Sequence, residues 1–160
     1  QLLRDVNWSN LDFLIIDMPP GTGDAQLTLS QRVQLSGAII VSTPQDLSLI
    51  DARKGLNMFK KVNVPILGII ENMSYFECHN CNTKHEIFGN GGAKAEAEKL
   101  GVTFLNAIPL DINLRTTSDE GNPILHKEPN SSISKKYMEI GYKILNQIKK
   151  NKKQSPQIIQ

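Results

Sequence analysis

The stretch Leu11-Asp12-Phe13-Leu14-Ile15-Ile16-Asp17-Met18-Pro19-Pro20-Gly21-Thr22-Gly23-Asp24 divides into three physical parts. Residues 13–16 are a short continuous apolar run, the pattern of a strand buried on both faces of a parallel sheet. Asp17 ends that run with a carboxylate where such a strand emerges. Residues 18–24 then form a loop that starts stiff, with two prolines, and turns flexible at Gly-Thr-Gly. Open α/β sheets bind ligands at the carboxyl ends of their strands. Pro19 and Pro20 carry no N–H, so the first backbone donors past Asp17 belong to Met18, Gly21, Thr22 and Gly23. A glycine lets the backbone close on an anion, and successive N–H groups can form an anion-binding concavity. Asp17 can support Mg²⁺ through water, because Mg²⁺ keeps much of its hydration shell. The same residues also fit a plain strand-to-helix turn in which Asp17 caps the next helix.

Outward from this stretch the chain alternates helix and strand patterns. Residues 25–35 are helix-compatible and Gly37 is a stop. Residues 38–42 (A-I-I-V-S) read as a second buried strand, and Asp46 as the N-cap of a helix reaching about Lys61. Residues 64–71 are a third strand, with Asn72 at its carboxyl end. Residues 73–92 are a long non-periodic insert, and loops of that length without regular structure are usually functional or disordered. A short helix over 93–100 is closed by Gly101, and a fourth strand over 103–108 runs into Pro109-Leu110-Asp111. Residues 111–121 read as a short helix or an irregular loop. Residues 131–148 carry Ile133, Tyr137, Ile140, Ile144 and Ile148 at helical spacing, a clear apolar stripe. Four strands alternating with helices predict an α/β fold, a parallel sheet with helices on both faces.

At 160 residues the chain fits one domain with a real core, and 39% hydrophobic residues is ordinary for a globular protein. A net charge of +2 gives no electrostatic case for nucleic acid, and no apolar run reaches the length of a membrane span. Lys149, Lys150, Lys152 and Lys153 belong to a polar tail over 149–160, which reads as solvated and frayed. The start of the chain shows no initiating Met, signal peptide or amphipathic presequence, so the expectation is the later part of a longer protein, with its domain over 1–148 incomplete at the N-terminus.

Cys78-His79-Asn80-Cys81 sits inside the 73–92 insert. Cysteines spaced this way point to a reducing compartment and to metal or redox chemistry. Two thiolates grip one metal or one cluster edge, whereas tetrahedral zinc or a [4Fe–4S] cluster needs four ligands. Within one chain His79 and His85 could contribute, so zinc held by Cys78, Cys81 and His85 is one reading. Two chains about a two-fold axis would instead supply four cysteines. A thioredoxin-like pair belongs at a helix N-terminus directly after a strand, but Tyr75, Phe76 and Glu77 precede the pair and no helix pattern follows it.

Three segments, D-F-L-I-I-D-M-P-P-G-T-G-D-A-Q-L-T-L-S-Q, G-A-I-I-V-S-T-P-Q-D and E-N-M-S-Y-F-E-C-H-N-C, together resemble the Mrp/ApbC family. These are P-loop ATPases of the MinD-like SIMIBI class that bind and transfer iron–sulfur clusters. The similarity runs over about residues 11–148. It implies that Asp17 is the Walker B aspartate supporting Mg²⁺ and that Gly21 senses the γ-phosphate through its N–H. It implies further that Asn72 reads the adenine edge and that Pro109, Leu110 and Asp111 line the base. Cys78 and Cys81 would share a [4Fe–4S] cluster across a homodimer, with apo iron–sulfur proteins as recipients. The compartment implied is the cytoplasm, or alternatively the mitochondrial matrix. The family's Walker A loop, G-x-x-x-x-G-K-[ST], has no counterpart here. Gly89-Asn90-Gly91-Gly92-Ala93-Lys94 has the wrong spacing and position for it. Because that loop bears most of the phosphate charge in P-loop enzymes, these residues alone are expected to bind ATP weakly, and the ATPase activity belongs to the parent protein. A positioning ATPase of the MinD/ParA type without a cluster, and a zinc-stabilised interaction domain without catalysis, are the rival readings.

Overall fold

Three parallel strands form the framework, in the order β1-β2-β5. β1 is Ala38–Ser42, β2 is Ile66–Glu71 and β5 is Phe104–Ala107. The structure is a computed structural model and describes residues 5–19, 23–78 and 80–154. The helices are α1 (Asp24–Arg32), α2 (Asp46–Lys61), α3 (Gly92–Leu100), α4 (Ile112–Asp119), α5 (Ile124–Lys127) and α6 (Ser132–Gln154). Parallel neighbours require crossovers: α2 links β1 to β2, and α3 lies between β2 and β5.

Strand alternation sends side chains to two cores. Ile40 and its register partner Ile69 meet Leu49 and Leu56 of α2 and Ala93 and Ala97 of α3 on one face. On the other, Leu105 and Ile108 meet Ile140, with Tyr137 and Ile144 of α6 packed around them. Leu56 and Leu105 are completely buried, and full burial of such a side chain is worth roughly 1.5–3 kcal/mol. Helices therefore cover both faces of the sheet, as the apolar patterns predict.

The small residues of α3 have a geometric cause. A Cβ on Gly92 would lie 2.6 Å from the carbonyl oxygen of Pro44, so the helix can begin against the β1–α2 turn only with glycine there. Gly101 closes the same helix with φ 65°, a left-handed C-cap.

Residues 13–16 depart from expectation. They form no strand, and Phe13, Leu14 and Ile15 are 56%, 43% and 89% exposed. An apolar run becomes a strand only when its N–H and C=O groups enter a ladder, and among the described residues no ladder receives this one. Among the described residues the sheet has three strands rather than four. Its edge strand β1 pairs with β2 alone among the described residues, and Ile39 and Val41, on the face opposite Ile40, are exposed. Three smaller differences follow from local chemistry. Gln45, not Asp46, takes the N-cap position of α2, and Asp46 instead places its charge in the first turn. The insert 73–92 is not wholly irregular: β3 (Phe76–Glu77) and β4 (Lys84–His85) pair antiparallel within it. α6 continues through Gln154, taking Lys149 and Lys150 into the helix.

Candidate functional site

Two features converge at the carboxyl ends of β2 and β5: an apolar cleft and the cysteine hairpin. The cleft measures about 580 Å³ and is lined by Asn72 and Met73 after β2 and by Pro109, Leu110 and Asp111 after β5. Phe76, Tyr137 and residues of α4, Arg115 among them, form the rest of its walls. The position is where parallel sheets bind ligands, because successive crossovers leave a crevice beyond the strand ends. The four residues expected around a base thus lie in one cavity.

Local chemistry fixes each of them. The Asn72 N–H donates to the Ser42 carbonyl at 2.7 Å, tying the end of β2 to the end of β1. Asn72 Oδ1 accepts the Met73 N–H at 3.0 Å, and Met73 adopts φ 53°, the left-handed region that side chains disfavour. Strained backbone of this kind gathers at functional sites, and nothing in the sequence announces it. Asp111 is the N-cap of α4, its Oδ1 accepting the Leu114 N–H at 2.9 Å. Its carboxyl group therefore holds a helix start at the cleft wall. Tyr137, read from the sequence only as part of an apolar stripe, reaches the cleft, and burial raises its phenol above the ordinary value.

The hairpin is joined to this cleft. The Leu110 N–H donates to the Tyr75 carbonyl at 2.7 Å, and Phe76 forms a parallel bridge with Leu110. Lys84 of β4 and Lys136 of α6 stand 5.0 Å and 5.9 Å from the Tyr75 ring centroid, two cation–π contacts that hold hairpin and α6 together. Cys78 follows β3 directly, so the cysteine pair occupies the β3–β4 turn. That turn is closed by the Cys78 N–H donating to Thr83 O at 3.0 Å and the Asn82 N–H donating to Cys78 O at 2.8 Å. Asn82 takes φ 55°, a conformation asparagine tolerates better than most residues.

Both cysteines are free thiols; Cys78 is half-buried and Cys81 exposed. Cys81 Sγ and Thr83 Oγ1 are 3.2 Å apart, a bond the thiol donates and the ionised sulfur accepts. The Thr83 hydroxyl, followed by the Thr83 N–H and the Cys78 thiol, holds the Cys81 thiol below its usual range. Thr83 carries no motif and was not legible beforehand. Among the described residues no three of His, Cys, Asp and Glu converge as a metal site, so Cys78, Cys81 and His85 do not assemble a zinc centre here. His79 lies outside the described residues.

Asp17 is exposed on the irregular segment before α1 and does not line the cleft. Gly21 lies outside the described residues. The structure therefore gathers Asn72, Pro109, Leu110 and Asp111, sets Cys78 and Cys81 on an adjoining turn, and leaves Asp17 apart.

Comparison with known proteins gives this geometry a lineage. The family model described as ParA, NUBPL iron-transfer P-loop NTPase, matches residues 1–145. The iron-sulfur cluster transfer protein NUBPL of Dictyostelium discoideum is 54% identical over 148 residues, covering 92% of this chain and 46% of that protein. An iron-sulfur cluster carrier protein of Pyrococcus abyssi is 50% identical over 152 residues, covering 95% of this chain and 51% of that one. The nucleotide-binding protein of Archaeoglobus fulgidus, solved in complex with ADP, superposes with a TM-score of 0.65 at 44% identity, covering 76% of this chain and 49% of that chain. The chain spans about half the length of the curated relatives it matches.

Proposed function

The chain belongs to the NUBPL iron-transfer P-loop NTPase family, and we propose that it is the portion of such a protein that carries an iron–sulfur cluster as cargo and answers to a nucleotide. The supporting observation is the direct hydrogen bonding between the cysteine hairpin and the cleft wall, Leu110 to Tyr75. A cluster at Cys78 and Cys81 and a base between Asn72 and residues 109–111 would then share one short ribbon. Both names borne by the relatives, cluster transfer and cluster carrier, support the same reading.

One chain supplies two thiolates, and a [4Fe–4S] cargo needs four ligands. A homodimer about a two-fold axis supplies the rest. The exposure of Cys81 suits hand-over, since an acceptor thiolate must reach the iron to displace it. Its lowered thiol favours the thiolate form that ligates iron. Recipients are apo iron–sulfur proteins, in a compartment that keeps thiols reduced, the cytoplasm or the mitochondrial matrix. No helix among the described residues is long and apolar enough to cross a membrane.

For the nucleotide half, Asp17 supports Mg²⁺ through water and Gly21 follows the γ-phosphate. Asn72 reads the base edge while Pro109, Leu110 and Asp111 line it. The phosphate-holding Walker A loop is not among these residues, so hydrolysis is a property of the longer protein. ATP binding would draw Gly21 toward the γ-phosphate and hydrolysis would release it, a movement that would alter the dimer and hence the hold of the two cysteine pairs on the cluster.

Anaerobic reconstitution with ferrous iron and sulfide tests the cargo site. The expected product is a brown dimer with visible charge-transfer absorbance, lost in the double variant Cys78→Ser, Cys81→Ser. A colourless, zinc-loaded product, or a dimer and chromophore that survive the double substitution, would overturn the carrier reading.

A further inference from the structure

Glu71 ends β2 and is 1% exposed. A carboxyl group is expensive to bury unless its oxygens are hydrogen-bonded. Here both are. Oε1 accepts the Ser74 hydroxyl at 2.6 Å, and Oε2 accepts the Ala93 N–H at 2.8 Å. Ser74 stands near the start of the 73–92 insert, and Ala93 is the first residue after it. One side chain therefore clasps the two ends of the segment that carries the cysteines.

The clasp also completes α3. Its N-cap residue is Gly91, which makes no side-chain capping bond, so Glu71 supplies from β2 the acceptor that the helix start lacks. The Glu71 backbone meets the cleft wall as well. The Ile108 N–H donates to Glu71 O at 2.8 Å, and the Ser74 N–H donates to Ile108 O at 2.9 Å. Residue 71 is thus the junction of β2, the strand end that leads to Pro109, and both ends of the insert.

We propose that Glu71 is a positioning residue for the cysteine pair: it fixes the insert against the cleft wall, so that Cys78 and Cys81 keep one place relative to Asn72. The β3–β4 hairpin has two residues in each strand, and a two-stranded hairpin is at best marginally stable on its own. Its order is therefore borrowed from its base. Leu110 holds the rising strand through Tyr75, and Glu71 holds the start and the exit together. The relevance of the clasp to cargo rests on the cluster-carrier reading above, whereas the clasp itself operates with neither cluster nor nucleotide.

Hydrogen exchange on this chain, free of iron and nucleotide, tests it. Ser74→Ala removes one arm with little risk to the fold. Glu71→Gln preserves the shape, because its amide oxygen can accept from Ala93 while its NH₂ donates to the Ser74 oxygen. Ser74→Ala is expected to speed exchange of the Cys78 and Asn82 amides by roughly 5- to 100-fold, the range set by losing one buried bond. Amides of α2 and α6 should be unmoved, and Glu71→Gln should stay within a few-fold of the parent. If Ser74→Ala leaves Cys78 and Asn82 protected, or if exchange rises equally in α2 and α6, Glu71 does not position the hairpin. Glu71→Gln exchanging as fast as Ser74→Ala would overturn the role too. A chain that never loads a cluster leaves this test intact, so the two readings fail separately.

Discussion

Arg53 holds Glu96 by both carboxyl oxygens, Nε to Oε1 at 2.5 Å and an NH₂ group to Oε2 at 2.8 Å. The pair joins α2 to α3 beside the core that Leu49, Leu56, Ala93 and Ala97 build. The Arg53 hydrogen bonds hold the Glu96 carboxyl below its ordinary value, with burial opposing them and the charges of Arg53 and Lys99 adding to them. A carboxyl depressed in the folded state adds stability that is complete above its unfolded pKa and lost as pH falls through its folded one. The thermal midpoint should therefore be flat near neutrality and drop on the acid side, below the ordinary glutamate range. Arg53→Met should lower the neutral-pH midpoint by a few degrees and shrink the acid drop, as read by circular dichroism melts. Equal acid drops in parent and variant would detach the pair from that loss.

At the hairpin, the Thr83 hydroxyl is the leading cause of the lowered Cys81 thiol. Thr83→Val removes that donor while keeping a β-branched shape. The sign follows directly: the thiolate loses support, its pKa rises, and the alkylation rate of Cys81 moves to higher pH. Iodoacetamide kinetics across a pH series, with mass spectrometry separating Cys81 from Cys78, would show the shift. An unmoved Cys81 profile would assign its reactivity to exposure alone.

The nucleotide role proposed for Asp17 is tested in a protein that also carries a Walker A loop. There Asp17→Ala should cut ATP hydrolysis on the order of 100-fold, the scale expected when a metal's charge stabilisation of several kcal/mol is lost. Phosphate release, measured at saturating Mg²⁺, is the readout. Undiminished turnover would mean that the residue merely ends the apolar run 13–16.

The fold was legible where local pattern and tertiary environment agree. The A-I-I-V-S run, the stripe from Ile133 to Ile144 and the Gly101 stop each announce an element whose surroundings this chain provides. Residues 13–16 have the same apolar signature but, among the described residues, no ladder to enter, since pairing is a property of the neighbour and not of the run. The β3–β4 hairpin escaped notice for the opposite reason. Its strands, Phe-Glu and Lys-His, are too short and too exposed to show alternation. In the site, Asn72 and Asp111 could be named because the family resemblance singles them out, and the strand pattern sets each beyond a strand at the sheet's carboxyl edge. Glu71 could not. At the end of an apolar run a glutamate reads as the point where a strand meets water, and only the fold brings Ala93 to its second oxygen.

The uncovered side of β1 has a consequence for handling the molecule. Its five residues include no lysine or proline, the usual guards of a sheet edge, and Ile39 and Val41 face outward with Phe13 and Ile15 exposed elsewhere on the chain. Such an edge is a template for strands from other copies, so at high concentration the heated chain should coalesce faster than it refolds. Its measured heat resistance then becomes a rate, dependent on concentration and on the speed of the scan, rather than an equilibrium property.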